Sequence, residues 1–320
     1  MVPDAHFSSY YGRPVVKPAP WSNDIPAYLF LGGLAAGSTM LGAGGDLTGR
    51  PSLRRTGRIG GMAAISLSFA ALVHDLGRPG RFANMLRVAK PTSPMSVGTW
   101  ILTAFGPLAA VAGAAELRGV LPHKMHRLST VLAMSARPAN LAACLAAPAV
   151  AAYTAVLISD TATPAWHDGY QKLPFVFVGS AAAAAGGLAM IGSTLTDAAP
   201  ARRLALGGAL LELGAEQART SSMGLSSETL RSGRAGTFSR ASTALTATGA
   251  LLTATIAGRS RLAAAAAGAA LLTGSACTRF AIFEAGQASA RDPRYTVIPQ
   301  RERISAPAAA TPSDPISPLP

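Results

Sequence analysis

The chain alternates long apolar runs with short polar stretches. The runs cover residues 25–45, 57–76, 97–115, 141–158, 173–195, 204–217, 238–257 and 262–283. All but the sixth come close to the ~20 apolar residues that a helix needs to cross a bilayer. None carries the charged stripe by which a helix of a soluble protein faces water. The pattern predicts an all-α, polytopic membrane bundle of about eight transmembrane helices. The sixth run is the shortest and contains Glu212 and Glu216, four residues apart and therefore on one helix face. Residues 116–137 read as a long basic connection, and Pro148 predicts a kink in the fourth helix. Three regions follow: an irregular arm over 1–23, a transmembrane domain over 24–284, and a polar tail over 285–320. The tail's Ala-, Pro- and Ser-rich end beyond Ile304 reads as disordered.

Composition agrees with this reading. The 320 residues are 49% hydrophobic and only 13% charged, against about 25% charged in soluble domains. Ala and Gly dominate the apolar runs, and small residues let helices approach closely in lipid. Gly33 and Gly37 form a G-x-x-x-G pair in the first run, read as a helix-packing face. The polar, Pro-rich start lacks the features of a cleaved secretory signal, so the first run is expected to stay as a spanning helix.

The net charge of +13 would suggest nucleic acid in a soluble protein. Here the cations lie between apolar runs, where they meet lipid headgroups or an acidic partner subunit. With eight spans, 16 of the 28 Lys and Arg fall on the side of the termini. That small bias favours cytoplasmic termini. Cys144 and Cys277 lie far apart in apolar runs and cannot supply the four thiolates of an iron–sulfur cluster.

Ionisable groups at or inside the spans are the candidates for chemistry, because burying them in lipid is costly. Asn23 and Asp24 open the first span, with Tyr28 one turn further in. His74 and Asp75 close the second, Tyr153 lies in the fourth, and Glu284 ends the last. A b-type haem needs two facing axial His, and only His74 is near a span; His6, His123, His126 and His167 lie in the arm or loops. A transporter would place its site at the midplane between repeated halves. Here the polar groups cluster at span ends and no repeat is visible, although Glu212 and Glu216 could serve a proton path. A quinone site needs hydrogen-bond donors, an apolar ring pocket and a proton source near a membrane edge. Tyr28, Tyr153 and His74 are donors, and Asn23, Asp24 and Asp75 can hold or relay protons. Interfacial Tyr and His are also common as belt residues.

Between the second and third runs lies a Pro-punctuated, basic loop with Arg78, Arg81, Arg87 and Lys90. It reads H-D-L-G-R-P-G-R-F, then K-P-T-S-P-M-S-V-G-T-W. These motifs resemble the NrfD/PsrC family, the polysulfide reductase-type membrane subunits of molybdopterin oxidoreductases. The resemblance extends to W-S-N-D-I-P-A-Y-L-F-L-G-G-L-A-A-G, Y-T-A-V-L-I-S-D-T-A-T-P-A-W-H-D, L-P-F-V-F-V-G-S-A and R-F-A-I-F-E-A-G-Q-A-S-A-R-D-P, in the family's order across most of residues 21–295. It implies an eight-helix, multi-pass anchor in a bacterial cell membrane, with no haem or cluster of its own. It also implies two partners, a ferredoxin-like subunit with four [4Fe–4S] clusters and a molybdopterin catalytic subunit; no nucleic acid is expected, because the cations lie between apolar segments and not along one helix face.

Quinone, either menaquinone or ubiquinone, would be the bound substrate. The family's fourth-helix Tyr falls on Tyr153, and its first-helix His position falls on Tyr28, where a phenol cannot titrate near neutral pH. The family Asn falls on Asn23 or Asp24. The resemblance and chemistry together point to Tyr153, Tyr28, Asp24 and His74 as reactive groups, with Asn23 and Asp75 beside the quinone. Arg78, Arg81 and Arg87 are expected to dock the iron–sulfur partner.

Overall fold

The computed structural model describes residues 14–78, 80, 82–120, 122 and 125–305. Arg81 and His123 lie outside them, as do the polar tail beyond 305 and the first part of the arm. The described residues form α1 (Asp24–Leu47), α2 (Pro51–Asp75), the short α3 (Phe82–Met85), α4 (Pro94–Glu116), α5 (His126–Ser159), the short α6 (Pro164–His167), α7 (Leu173–Gly192), α8 (Ala199–Ser222), α9 (Gly233–Thr255), α10 (Arg261–Arg291) and α11 (Arg294–Ser305). Among these residues there is no strand.

Each apolar run became a long helix. Six of them, α1, α2, α4, α5, α7 and α10, are long and apolar enough to cross a membrane. The other two, α8 and α9, have 24 and 23 residues, so they match the length but not the apolarity. In α8 the cause is charge: Arg202, Arg203, Glu212, Glu216 and Arg219 all lie in it. Its carboxylates have partners. Glu212 is buried and accepts a hydrogen bond from Thr278 of α10, while Arg219 holds Glu216 through two nitrogens.

Two boundaries differ from the sequence reading. The expected long connection over 116–137 is cut short, because α5 starts at His126. The helix runs unbroken through Pro138 and Pro148, where each ring leaves one carbonyl of the preceding turn without its helical donor. Neighbouring helices make such prolines tolerable in a membrane bundle. At the other end α10 continues past Glu284 to Arg291, and α11 carries the helical backbone to Ser305.

Packing follows the small residues. The closest pairs are α1 with α2, α4 with α5, α7 with α8, and α9 with α10, and α7 joins the two halves. A Cβ on Gly37 would lie 2.6 Å from Ala185 Cβ and 3.0 Å from the Ala181 carbonyl, so the G-x-x-x-G face packs on α7. A Cβ on Gly57 would lie 2.6 Å from both Gly42 Cα and the Ser38 carbonyl oxygen. The α1–α2 crossing is therefore a backbone-to-backbone contact. The α7–α8 turn caps the start of α2: Asp197 accepts from Ser52 N at 2.9 Å and Ser52 Oγ at 2.7 Å. Those bonds hold the Asp197 carboxyl below its ordinary range.

Candidate functional site

One face of the bundle collects the start of α1, the end of α2, the start of α4 and the end of α5. The arm is fastened over it. Gln287 Nε2 donates to the Ala19 carbonyl at 2.9 Å. Trp21 stacks on Trp166 with ring centroids 5.6 Å apart, and Trp166 Nε1 donates to the Ile282 carbonyl at 2.8 Å. Trp166 itself is fully buried.

Beneath the arm lies a cavity of about 200 Å³ between α1, α2, α4 and α5. Its wall is mainly apolar, with Trp21, Leu29, Leu72, Met95 and Leu157 among the lining residues, and three polar side chains carry its chemistry: Tyr28, Tyr153 and Asp75. Tyr28 and Tyr153 are both buried, and their hydroxyls are hydrogen-bonded to each other. Two phenols carry two protons, and their mutual bond uses one. The pair thus keeps one O–H to donate to a group in the cavity. Gly98 of α4 makes room for the Tyr153 ring, since a Cβ there would sit 2.7 Å from Cδ2. Thr99 also lines the cavity, but its hydroxyl already donates to the Met95 carbonyl at 2.9 Å.

A polar chain leads from this cavity to the surface. Asp75 accepts from Ser22 N at 3.0 Å and from Ser22 Oγ at 2.8 Å. The same hydroxyl lies 2.8 Å from Asp24 Oδ2. One hydroxyl proton can serve only one carboxylate at a time, so Ser22 sits as a switch between Asp24 and Asp75. Asp24 Oδ2 also accepts from His74 Nδ1 at 2.7 Å, a bond that places the proton on that nitrogen because a carboxylate only accepts. The His74 side chain is 82% exposed. The order from solvent inward is His74, Asp24, Ser22, Asp75, then the cavity.

The structure thus brings Tyr28, Tyr153 and Asp75 to one cavity, and links Asp24 and His74 to it. Asn23 is exposed at the N-cap position of α1 and makes no side-chain cap bond. Arg78 and Arg87 are exposed in the loop between α2 and α4. That loop is pinned to α4, where Ser96 Oγ donates to the Val88 carbonyl and accepts from Lys90 N. Met85, in α3 of the same loop, forms part of the cavity wall. Ser22 and Gly98 were not singled out from sequence. Both lie in the motifs quoted above, but their roles depend on what packs opposite them.

No curated protein matches the chain. A family model described as "Polysulphide reductase, NrfD" matches residues 15–204. The match contains the end of the arm, both tyrosines, the basic loop and every residue of the polar chain. Members of this family are membrane subunits of polysulfide reductase-like oxidoreductases, generally associated with iron–sulfur and molybdopterin subunits. With the match covering more than half of a multi-pass helical bundle, the chain belongs to the NrfD family of polysulphide reductase membrane subunits.

Proposed function

We propose that this chain is the quinone-reactive anchor of a molybdopterin/iron–sulfur oxidoreductase in a bacterial cell membrane. In this reading it passes electrons between the quinone pool and a four-cluster, ferredoxin-like subunit. The observation that carries it is the buried tyrosine pair with one spare O–H, set in an apolar cavity that a proton-bearing chain connects to the surface. A volume of about 200 Å³ is below the ~300–1,000 Å³ of common ligand pockets. It suits a ring head group whose tail stays in lipid.

The bound quinone would accept two electrons and two protons, or release them in the reverse direction. The chain's residues do the rest. The tyrosine pair orients one carbonyl: Tyr153 donates its O–H to it, and Tyr28 donates to the Tyr153 oxygen. Asp75 holds a proton at the cavity wall and exchanges it through Ser22 with Asp24. His74 exchanges it with water. Leu29, Leu72 and Leu157 keep bulk water from the ring. The reading assigns no haem or cluster to this chain, and a b-type band in a reduced-minus-oxidised spectrum would contradict that assignment. It also separates this site from a transporter's, which would sit at the midplane.

The test uses Tyr153→Phe, which keeps the ring and removes one hydroxyl. The lost bond has a net value of about 0.5–1.5 kcal/mol, so quinone binding should weaken roughly two- to tenfold. Electron flow from the catalytic subunit to an artificial dye bypasses the cavity and should stay unchanged on the same membranes. Equal loss of both activities, or retention of both, would overturn the assignment.

Arg78, Arg87 and Lys90 are proposed to dock the iron–sulfur subunit, because they are exposed beside the cavity on a loop that forms part of its wall. Arg81 belongs to the same loop. The double change Arg78→Glu and Arg87→Glu should release that subunit from purified membranes. Its unchanged co-purification after a high-salt wash would speak against docking at this loop.

A further inference from the structure

At the opposite end of the bundle, a second cavity of about 370 Å³ opens between the end of α1, the start of α2, the end of α4 and the start of α5. Its charged lining is Asp46, Arg54, Arg58, Glu116, Arg118 and Arg137. Both carboxylates are engaged. Glu116 Oε1 accepts from Arg54 Nε at 3.0 Å and Arg58 Nη1 at 2.8 Å. Asp46 lies within ion-pair distance of Arg54, Arg58 and Arg137. Four arginines against two carboxylates leave the cavity with a surplus of two positive charges.

The surplus has a direction. The Arg58 side chain is only 5% exposed, and its Nε has no hydrogen-bond partner among the described residues, while its Nη2 faces Asp46 Oδ2 at 3.2 Å without closing a hydrogen bond. Buried guanidinium donors left unmet are costly. Arg118, exposed at the rim, has no carboxylate within ion-pair distance among the described residues. A cationic cavity with unmet planar donors fits a tetrahedral oxyanion, which guanidinium groups bind through paired N–H donors.

The setting selects the source of that anion. Arg58 is seven residues into α2, about 10 Å from the helix start, at the beginning of that helix's apolar run over 57–76. Beside the cavity, α5 exposes Leu128, Val131 and Met134, the last two by 60% and 76%. These side chains offer an apolar surface for acyl chains next to Arg137 and Ala133.

We propose that this cavity binds the phosphate of an anionic phospholipid, with Arg58 at its floor and Arg118 and Arg137 at its rim. The site lies on the face opposite the tyrosine pair and does not depend on the quinone reading.

The full chain, in the assembly in which it leaves the membrane, is incubated with phosphatidylglycerol or phosphatidylcholine and examined by native mass spectrometry. Phosphatidylglycerol should be retained preferentially. Arg118→Gln with Arg137→Gln should weaken that retention roughly 30-fold, given about 1 kcal/mol for each of the two cations at an anionic surface. Glu116→Gln, which removes a competing carboxylate, should strengthen it. No lipid preference, combined with a thermal shift by inorganic phosphate that the double variant abolishes, would assign the cavity to free phosphate and overturn the lipid. Absence of both preference and shift, or a preference that the double variant leaves intact, would overturn the site.

Discussion

Gly57→Leu should remove most of the protein from the membrane fraction. The position allows no side chain, because its Cβ would already stand 2.6 Å from the backbone of both Gly42 and Ser38. Overpacking against movable side chains costs about 1–3 kcal/mol. Here the obstacle is a helix backbone, so α1 and α2 must separate along their whole crossing. The site on α1 and α2 would be lost with it, since Tyr28, Asp24, His74 and Asp75 all sit on that pair. A loss of only 1–2 kcal/mol can lower cellular abundance several-fold, and this change should exceed that. Gly44→Leu is the matched control: a Cβ there meets nothing within 4 Å. Immunoblots of membranes should show Gly44→Leu near wild type and Gly57→Leu strongly depleted. Equal amounts of the two variants would show that close α1–α2 contact is not what holds this half together.

Gly98→Val should abolish most quinone-linked turnover while leaving dye-linked turnover in place. Even a Cβ on residue 98 would lie 2.7 Å from Cδ2 of Tyr153, and valine adds two methyl groups beyond it. The ring must turn away, which breaks the Tyr28–Tyr153 bond and fills space that the cavity needs. A hydrogen bond of about 1 kcal/mol plus an overpacking cost of about 1–3 kcal/mol corresponds to a loss of roughly 30- to several-hundred-fold. Measured on one membrane preparation, the ratio of quinone-linked to dye-linked activity should fall by that amount. A ratio within twofold of wild type would mean that the ring's position does not matter to the substrate.

The helices were legible in the sequence because a membrane span is written as a continuous apolar run, and each of the eight runs is one long helix. The limits of that signal show in α8 and α9. Their spacing and length fit the bundle, but their charge and Ser/Thr content fall short of membrane-crossing apolarity. Glu212 and Glu216 were placed on one helix face by their spacing. What each would bind was not, because Thr278 lies on a different helix and Arg219 is one arginine among many. The early start of α5 is hidden in the sequence because Arg127, Ser129, Thr130, Ser135 and Arg137 interrupt the apolar residues of 126–137. Charge says nothing against helix, only against lipid.

The site was legible in its residues and not in its geometry. Tyr28 and Tyr153 were singled out separately, but they are 125 residues apart, and nothing in either segment announces that their hydroxyls meet. Asp24, His74 and Asp75 were likewise visible as polar groups at span ends. The serine that joins them was not, because Ser22 is an ordinary residue until two carboxylates face it. The arginine cavity at the far end was hidden for the same reason: Asp46, Arg58, Glu116 and Arg137 come from four different helices.

The central claim is that quinone occupies the cavity between α1, α2, α4 and α5. The most direct measurement is photolabelling of the intact complex with an azido-quinone, followed by peptide mapping, with and without excess unlabelled quinone. Competed label is expected in the segments carrying residues 21–29, 95–102 and 153–158, with loss of that label in Gly98→Val. Competed label confined to other helices, or label that excess quinone does not displace, would contradict it.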